Sequence, residues 1–268
     1  MSTDTKFPKI IHQTWKDSEI PDIWKVSESS WRDLAAEEGW EYKLWTDDSN
    51  LEFLSENYPW AVDFYNRLNF GIQRSHLMRY FYMYHFGGIY VDLDVVPKPE
   101  RIMDLVDSIS KVYSVMLSTQ RHPDGNIYIS TSFMMSVPTH PFWDKVIHDL
   151  VEKTDMSSWD KMWVSTFRHY EVVMKTGSWF LTNQWDDYRS SVEDVTDMFA
   201  MPDVWVRPTG VERSNFVTLV DGGPTWRDWD SKVAEYGQVT WKYRDIILLG
   251  IVFSLILVIV LTLTLRRS

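Results

Sequence analysis

The spacing of apolar residues along the chain predicts strands and helices in alternation. Residues 7–15 (FPKIIHQTW) begin near a proline and run into an apolar pair, which is typical of a first strand. Residues 27–39 carry apolar side chains at helical spacing and end at a glycine, so they are predicted to form a helix. Residues 40–48 place large apolar residues alternately with charged ones, which predicts a second strand.

The same criteria predict further elements downstream. The helix with the clearest limits covers 71–86 and stops at Gly87-Gly88. The other predicted elements are a helix at 50–58 that ends before Pro59, strands at 113–119 and 126–137, and helices at 140–153 and 159–175. After Val204 the chain is rich in Pro and Gly and is predicted to be a loop. Strands that alternate with helices predict an α/β sheet domain.

A long apolar stretch lies at the end of the chain. Residues 246–265 contain 20 residues without a charge, and at about 1.5 Å per residue they would span about 30 Å, the hydrocarbon thickness of a bilayer. Basic residues flank the stretch on both sides, so they leave its orientation open. We therefore expect a folded domain at 1–240 and a single transmembrane anchor at 241–268.

Composition narrows the classes of function. The formal net charge is −11, which argues against the basic surface of a nucleic-acid-binding protein. The chain has no cysteine, so disulfides, zinc–thiolate sites and thiol catalysis are excluded. It has 15 tryptophans, whose flat rings can fill a core or stack on sugars and bases.

Two carboxylates interrupt the apolar stretch GGIYVDLDVVP at 87–97, which otherwise predicts a buried strand. Residues two apart in a strand share a face, so Asp92 and Asp94 are predicted to lie side by side. Two like charges at that distance disfavour each other, and a divalent cation such as Mg²⁺ or Mn²⁺ removes the conflict. A half-exposed strand whose acids face solvent is the alternative, and the tripeptide alone does not decide between them.

Basic residues precede the two acids. Gln73, Arg74 and Arg79 lie on the predicted helix that runs into the Gly-Gly turn. This order places cations and acids at one edge of a sheet, where open α/β sheets bind their ligands. The planar guanidinium of arginine is suited to a diphosphate because it donates two parallel hydrogen bonds.

Three segments together resemble glycosyltransferase family 32, namely FPKIIHQTW, WEYKLWTDD and IQRSHLMRYFYMYHFGGIYVDLDVVP. Within that family the resemblance is strongest to the mannosyltransferases of inositolphosphoceramide. Weaker similarity continues in TSFMMSVPTHPF, VMKTGSWF and GGPTWRDWD. The resemblance implies a GT-A fold, with a mixed central sheet flanked by helices, and a retaining transfer. It also implies a nucleotide-sugar donor, GDP-mannose in the first place, and a Mn²⁺ or Mg²⁺ ion on the Asp-x-Asp pair.

The resemblance also implies roles for single residues. Asp94 would ligate the cation, Asp92 would contact the ribose or the cation, and Arg79 would reach the donor phosphates or sugar. The implied donor site further contains Trp15, which would stack on the base, together with Arg74, His76, Tyr90, Thr225 and Trp226. Thr225 would lie near the metal or diphosphate.

Two departures from the family pattern leave alternatives open. Ser75-His76 stands where the family has Ala-Asp, and Arg227 stands where it has a histidine. The family's Asp is expected to hold hydroxyls of the donor sugar, and a histidine carries no fixed negative charge. The donor could therefore be UDP-galactose or UDP-glucose, or the chain could be an inactive nucleotide-sugar-binding subunit. For an active enzyme we expect a lipid or glycan acceptor, a regulatory subunit as a further possible partner, and a Golgi or other endomembrane location.

Overall fold

The computed structural model of the chain describes residues 6–122, 125–152, 168–193, 195–206 and 214–220. Eight strands lie in these ranges: β1 Ile10–Thr14, β2 Glu41–Trp45, β3 Gly88–Val91, β4 Val95–Pro97, β5 Val115–Arg121, β6 Ile127–Ser136, β7 Met198–Met201 and β8 Val217–Leu219. The described helices are α1 Asp22–Glu38, α2 Asp47–Asn57, α3 Pro59–Arg67, α4 Gly71–His85, α5 Pro99–Ser110, α6 Pro141–Glu152, α7 Arg168–Lys175, α8 Ser178–Ser191 and α9 Asp203–Val206.

Six of the strands form one mixed sheet in the order β2-β1-β3-β6-β5-β7. Strand β1 is parallel to both β2 and β3, whereas β6 is antiparallel to β3 and β5, and β7 is parallel to β5. Strands β4 and β8 pair antiparallel as a separate ribbon. The α/β class predicted from the alternation of elements is therefore confirmed.

The sheet separates two apolar cores, and β3 contributes to both. Successive residues of a strand point to opposite faces. Ile89 and Val91 accordingly lie in the core that includes Trp31 of α1 and Val106 of α5. Tyr90 lies in the other core, which is filled by α4 and α6. Helix α4 is buried over most of its length, so its polar residues lie close to the centre of the domain.

The turn between α4 and β3 leaves no room for a side chain. Gly87 and Gly88 have φ values of 67° and 80°, a backbone conformation that favours glycine. A methyl group on Gly88 would run into the carbonyl oxygen and side chain of Ile10. The indole N–H of Trp45 donates to Nδ1 of His12 (3.0 Å), so Nε2 of that ring donates to the Gly87 carbonyl (3.0 Å). This buried contact fixes the turn against β1 and β2.

The predicted single strand at 87–97 is wrong, because the chain turns between β3 and β4. The N–H of Val95 donates to the carbonyl of Asp92 (3.1 Å), which closes the turn. Strand β4 then leaves the main sheet and pairs with β8. The two acids therefore belong to a turn rather than to one strand face.

Other differences concern elements that the sequence pattern did not predict. Helix α2 ends at Asn57, just before Pro59 as predicted, but Pro59 is also the first residue of α3, a helix that the sequence did not predict. Proline is favourable there because the first helical N–H has no partner inside the helix. Pro99 begins α5 in the same way. The predicted loop after Val204 contains β8, which shows that a segment rich in Gly and Pro can still contribute a short strand.

Within the described ranges, no helix has the length and apolar character needed to cross a bilayer. The predicted span at 246–265 and the predicted domain boundary at 240 lie outside those ranges.

Candidate functional site

The candidate site lies where three parallel strands end. Strands β2, β1 and β3 run in the same direction, so the residues that follow them meet at one edge of the sheet. Trp15 follows β1 and Asp92 follows β3. The side-chain amide of Gln13 lies 3.4 Å from the main-chain carbonyl of Asp92, which links the ends of β1 and β3.

Arg79 and Asp92 form an ion pair at this edge. Nη2 of Arg79 lies 3.0 Å from Oδ1 of Asp92, and the side chains are 6% and 22% exposed, respectively. The hydroxyl of Tyr90 donates to the same oxygen (2.8 Å), and its ring lies 4.8 Å from the guanidinium. Burial lowers the pKa of Arg79, but Asp92 and other acidic groups around it raise that pKa by more, so the guanidinium stays charged.

Neutral groups accept further hydrogen bonds from the two Nη atoms of Arg79. Nη1 donates to the carbonyl and the hydroxyl of Thr131 on β6 (3.0 and 3.1 Å), and Nη2 donates to the hydroxyl of Ser75 (3.2 Å). The buried Nε has no hydrogen-bond partner among the described residues. A buried donor without a partner is uncommon in folded proteins, and a ligand that accepts from it would explain it.

Asp94 lies half-exposed on the same turn as Asp92. Its main-chain carbonyl accepts from the N–H of Val220 (2.8 Å), next to β8, so the β4–β8 ribbon holds the turn from the other side. Carboxylate oxygens are the ligands that Mg²⁺ and Mn²⁺ prefer, and these ions commonly take one or two of them plus phosphate oxygens and water. No cluster of three or more metal-ligating side chains occurs in the described part of the chain. The two acids therefore fit a cation whose other ligands come mainly from a phosphate-containing ligand and water.

Two tryptophans lie at the end of β1. The N–H of Trp15 donates to the carbonyl of Trp45 (2.9 Å), which extends the pairing of β1 with β2. The Trp15 ring packs edge to face against Trp24 of α1, with ring centroids 5.0 Å apart. Both indole N–H groups are buried and lack hydrogen-bond partners within the described ranges. Trp24 was not predicted as a site residue, and it lies before the helix that the sequence predicted at 27–39.

His76 lies one turn before Arg79 on the same face of α4. Its Nδ1 is 3.1 Å from the hydroxyl of Thr176, at the end of α7. Burial, together with the charge of Arg79, holds the pKa of His76 well below its ordinary value, so the imidazole is neutral. The structure therefore brings His76, Arg79, Tyr90 and Asp92 together.

Arg74 makes its contacts away from this group. It lies about 140° around the helix from Arg79. Its Nη1 donates to the carbonyl of Leu68 (3.0 Å), and its guanidinium lies 5.9 Å from the ring of Tyr65. The two remaining predicted site residues, Thr225 and Trp226, lie outside the described residues.

Several polar residues of the site carry no charge, so sequence reasoning did not select them. They are Gln13, Ser75, Thr131 and Thr176. The only signal for the two threonines is that each lies in a segment with weak similarity to family 32. Their contribution becomes visible once β6 and α7 are packed against α4.

Comparison with known proteins gives a family and several relatives. Residues 21–111 match the family model described as "Glycosyltransferase sugar-binding region containing DXD motif". Inositol phosphoceramide mannosyltransferase 2 of Schizosaccharomyces pombe is 30% identical over 247 residues, which cover 92% of this chain and 64% of that protein. Mannosyl phosphorylinositol ceramide synthase SUR1 of Saccharomyces cerevisiae is 35% identical over 183 residues, which cover 68% of this chain and 42% of that protein. The chain thus spans less than two thirds of either relative.

Two solved structures are similar to this chain. The PaToxG glycosyltransferase has a TM-score of 0.44 at 14% identity and covers 70% of this chain and 72% of its own. The glycosyltransferase domain of the YGT toxin has a TM-score of 0.44 at 9% identity, with 91% and 90% covered. Scores this low carry no argument about the fold. The family match and the two sequence relatives nevertheless confirm the resemblance to DXD-containing glycosyltransferases and to inositol phosphoceramide mannosyltransferases.

Proposed function

We propose, from this confirmed resemblance, that the chain is a metal-dependent retaining glycosyltransferase of the GT-A type that moves a hexose from a nucleotide sugar to a membrane-associated acceptor. The names of the sequence relatives favour mannose as the sugar and inositol phosphoceramide as the acceptor, and the resemblance to family 32 favours GDP-mannose as the donor. The observation that carries the proposal is the buried Arg79–Asp92 pair beside Asp94, at the carboxyl edge of three parallel strands.

In this proposal the residues of the site would bind the donor as follows. Asp94 and Asp92 would hold a Mn²⁺ or Mg²⁺ ion, which neutralises charge on the departing diphosphate. Arg79 would donate to the diphosphate or the sugar, and its fixed contacts to Asp92 and Thr131 mean that it need not reorganise as negative charge develops. Trp15 would stack on the base, and Tyr90 would orient Asp92. Thr225 and Trp226 would close the site.

A second function is favoured by one observation, the neutral His76 in place of an acid. A site that cannot hold the sugar hydroxyls as the family does could still bind a nucleotide sugar without turning it over. The chain would then be a donor-binding partner subunit of another transferase.

A donor assay distinguishes these functions. The full chain is purified in detergent with Mn²⁺ and is offered GDP-mannose, UDP-galactose and UDP-glucose in turn. We expect mannose transfer or slow hydrolysis of GDP-mannose that Asp94→Ala abolishes. Turnover of a UDP-sugar but not of GDP-mannose would show that the donor is that UDP-sugar. Metal-dependent nucleotide binding without turnover of any donor would instead identify a partner subunit. Asp107→Ala is a matched control, because this acid lies on α5 and pairs with Lys111.

We further propose that residues 1–240 form the catalytic domain and that 241–268 anchor it in an endomembrane such as the Golgi. Protection of the domain from protease in sealed microsomes would place it in the lumen, and digestion would place it in the cytosol. If a carbonate wash released the chain from the membranes, that result would contradict a transmembrane anchor.

A further inference from the structure

Two arginines lie beside the start of helix α4. The guanidinium carbon of Arg168 lies 4.7 Å from the centroid of the Phe70 ring, so the two groups form a cation–π contact. Arg74 folds back over the first turn of the helix, because a methyl group on Gly71 would lie 3.8 Å from its Nη2. Two positive charges therefore lie close to the first residues of α4.

Arg168 has no counter-ion in the described part of the chain. Its guanidinium makes no hydrogen bond or ion pair with the residues described, and its Nε is buried. Glu171, one turn further along α7, accepts instead from Lys175 (2.9 Å) and from Asn69 (2.6 Å). A partly buried cation without a counter-ion is costly, so a bound anion would stabilise this arrangement.

Arg74 adds to the positive charge at this place. Its charge opposes the rise that burial causes in the pKa of Asp47, but the two side chains form no ion pair. The first turn of α4 contains no acidic residue. The described surroundings of Phe70 therefore carry more positive than negative charge that is free to meet a ligand.

The start of α4 lies at the same edge of the sheet as the candidate site. Helix α4 packs on β3 and joins it through the turn at 87–88, so the two elements run in opposite directions. The N-terminus of α4 thus lies at the end of the sheet where Asp92 follows β3. At about 1.5 Å per residue, Phe70 lies about 14 Å from Arg79 along the helix axis.

Helix α7 brings Arg168 to this place. The side-chain amide of Gln73 lies 3.4 Å from the carbonyl of Glu171, and the hydroxyl of Tyr80 donates to the carbonyl of Thr176 (2.6 Å). Helix α7 therefore runs along α4 in the same direction. Arg168, the first residue of α7, accordingly lies next to the start of α4 rather than beside Arg79.

Resting on the proposed function, we propose that Arg168 and Arg74 bind the phosphodiester of the acceptor's inositol phosphate headgroup. Stacking on Phe70 holds the guanidinium of Arg168 in one plane and leaves its N–H groups at the rim, where two of them match two phosphate oxygens. The donor diphosphate at Arg79 and the acceptor phosphate would then lie some distance apart along α4, with the reacting hydroxyl of the headgroup between them.

Binding of the headgroup can be measured without any turnover. The full chain in a neutral detergent is titrated by calorimetry with short-chain phosphatidylinositol, phosphatidylglycerol, phosphatidylcholine or inorganic phosphate. We expect phosphatidylinositol to bind most tightly, and its Kd to rise about tenfold or more in Arg168→Gln and in Arg74→Gln, the value of one lost hydrogen bond to a charged group. Circular dichroism checks that the variants fold.

A matched control separates a headgroup site from general attraction to anions. Arg189 on α8 is exposed and stacks on Trp185 (5.6 Å), so Arg189→Gln removes the same charge and the same kind of contact elsewhere. This variant should bind phosphatidylinositol as the wild type does. Equal losses in Arg168→Gln and Arg189→Gln, or binding of phosphatidylglycerol or inorganic phosphate as tight as that of phosphatidylinositol, would overturn the inference.

Kinetics with both substrates provide the second measurement. Arg168→Gln should raise the KM for the acceptor about tenfold or more, with a smaller change in the KM for the donor. Arg168→Lys should restore only part of this loss, because lysine keeps the charge but lacks the planar fork. Equal rises in both KM values would place Arg168 at the donor and contradict the proposal. If no donor is turned over, the proposed function fails, whereas the titrations still decide whether the two arginines bind the headgroup.

Discussion

Gly88→Ala should destabilise the protein through two separable effects. The first is backbone strain, because Gly88 has φ 80° and an L-residue in this left-handed region costs roughly 1–2 kcal/mol. The second is steric, since the added methyl would meet the carbonyl oxygen and Cγ2 of Ile10 and lie 3.2 Å from the carbonyl oxygen of Pro8. Overpacking of this kind costs about 1–3 kcal/mol.

A matched control isolates the steric effect. Gly39, at the end of α1, has φ 69°, and a methyl there would meet no atom within 4 Å. Gly39→Ala therefore carries the strain alone, about 1–2 kcal/mol, against about 2–5 kcal/mol for Gly88→Ala.

Thermal unfolding of the full chain in detergent, followed by tryptophan fluorescence, measures the difference. For a domain of this size 1 kcal/mol shifts Tm by about 2–4 °C, so Gly88→Ala should melt about 2–12 °C below Gly39→Ala. Donor turnover should also fall more in Gly88→Ala, because Gly88 begins the strand that carries Tyr90 to the site. Equal Tm values for the two variants would refute the close approach of β3 to β1.

Three further predictions follow from buried polar groups. Burial lowers the pKa of His12 to about 3, so the unfolded chain takes up a proton below pH 6.5 that the folded chain does not. Stability should therefore fall by about 1.4 kcal/mol per pH unit from pH 6.5 toward 3, and a plot of Tm against pH should be flatter for His12→Gln; parallel plots would contradict this. Arg79→Lys cannot contact Asp92 and Thr131 together, so kcat should fall on the order of 10²–10³, with an unchanged circular dichroism spectrum as the check on folding. Tyr90→Phe should lose about 0.5–1.5 kcal/mol of unfolding free energy in urea, and no loss would mean that the bond to Asp92 adds no stability.

The elements predicted correctly have strong local signals. Strand β1 follows a proline and contains an apolar pair, β2 shows clear alternation, and α4 ends at a pair of glycines. The break between β3 and β4 left no such signal, because Val91, Leu93 and Val95 are buried in alternation just as in one continuous strand. The partner of β4 lies far along the chain, and no local pattern reports a distant partner.

Some residues of the candidate site could be predicted from the sequence and others could not. Asp92, Asp94 and Arg79 could be selected because a charge inside an apolar stretch requires compensation. Thr131 and Thr176 could not be selected, because a neutral hydroxyl is tolerated in many positions and gives no signal in the sequence. Their contribution depends on the side chain that packs against each of them.

The β4–β8 ribbon has a consequence for the order of synthesis. The turn that carries Asp94 is held partly by Val220, about 125 residues nearer the C-terminus. At roughly 5–20 residues per second, a ribosome would need roughly 6–25 s to add that segment. During this interval the central strands can already pair while the acidic turn lacks its second support. The acidic turn would thus gain its second support only after the six strands of the central sheet have been synthesised.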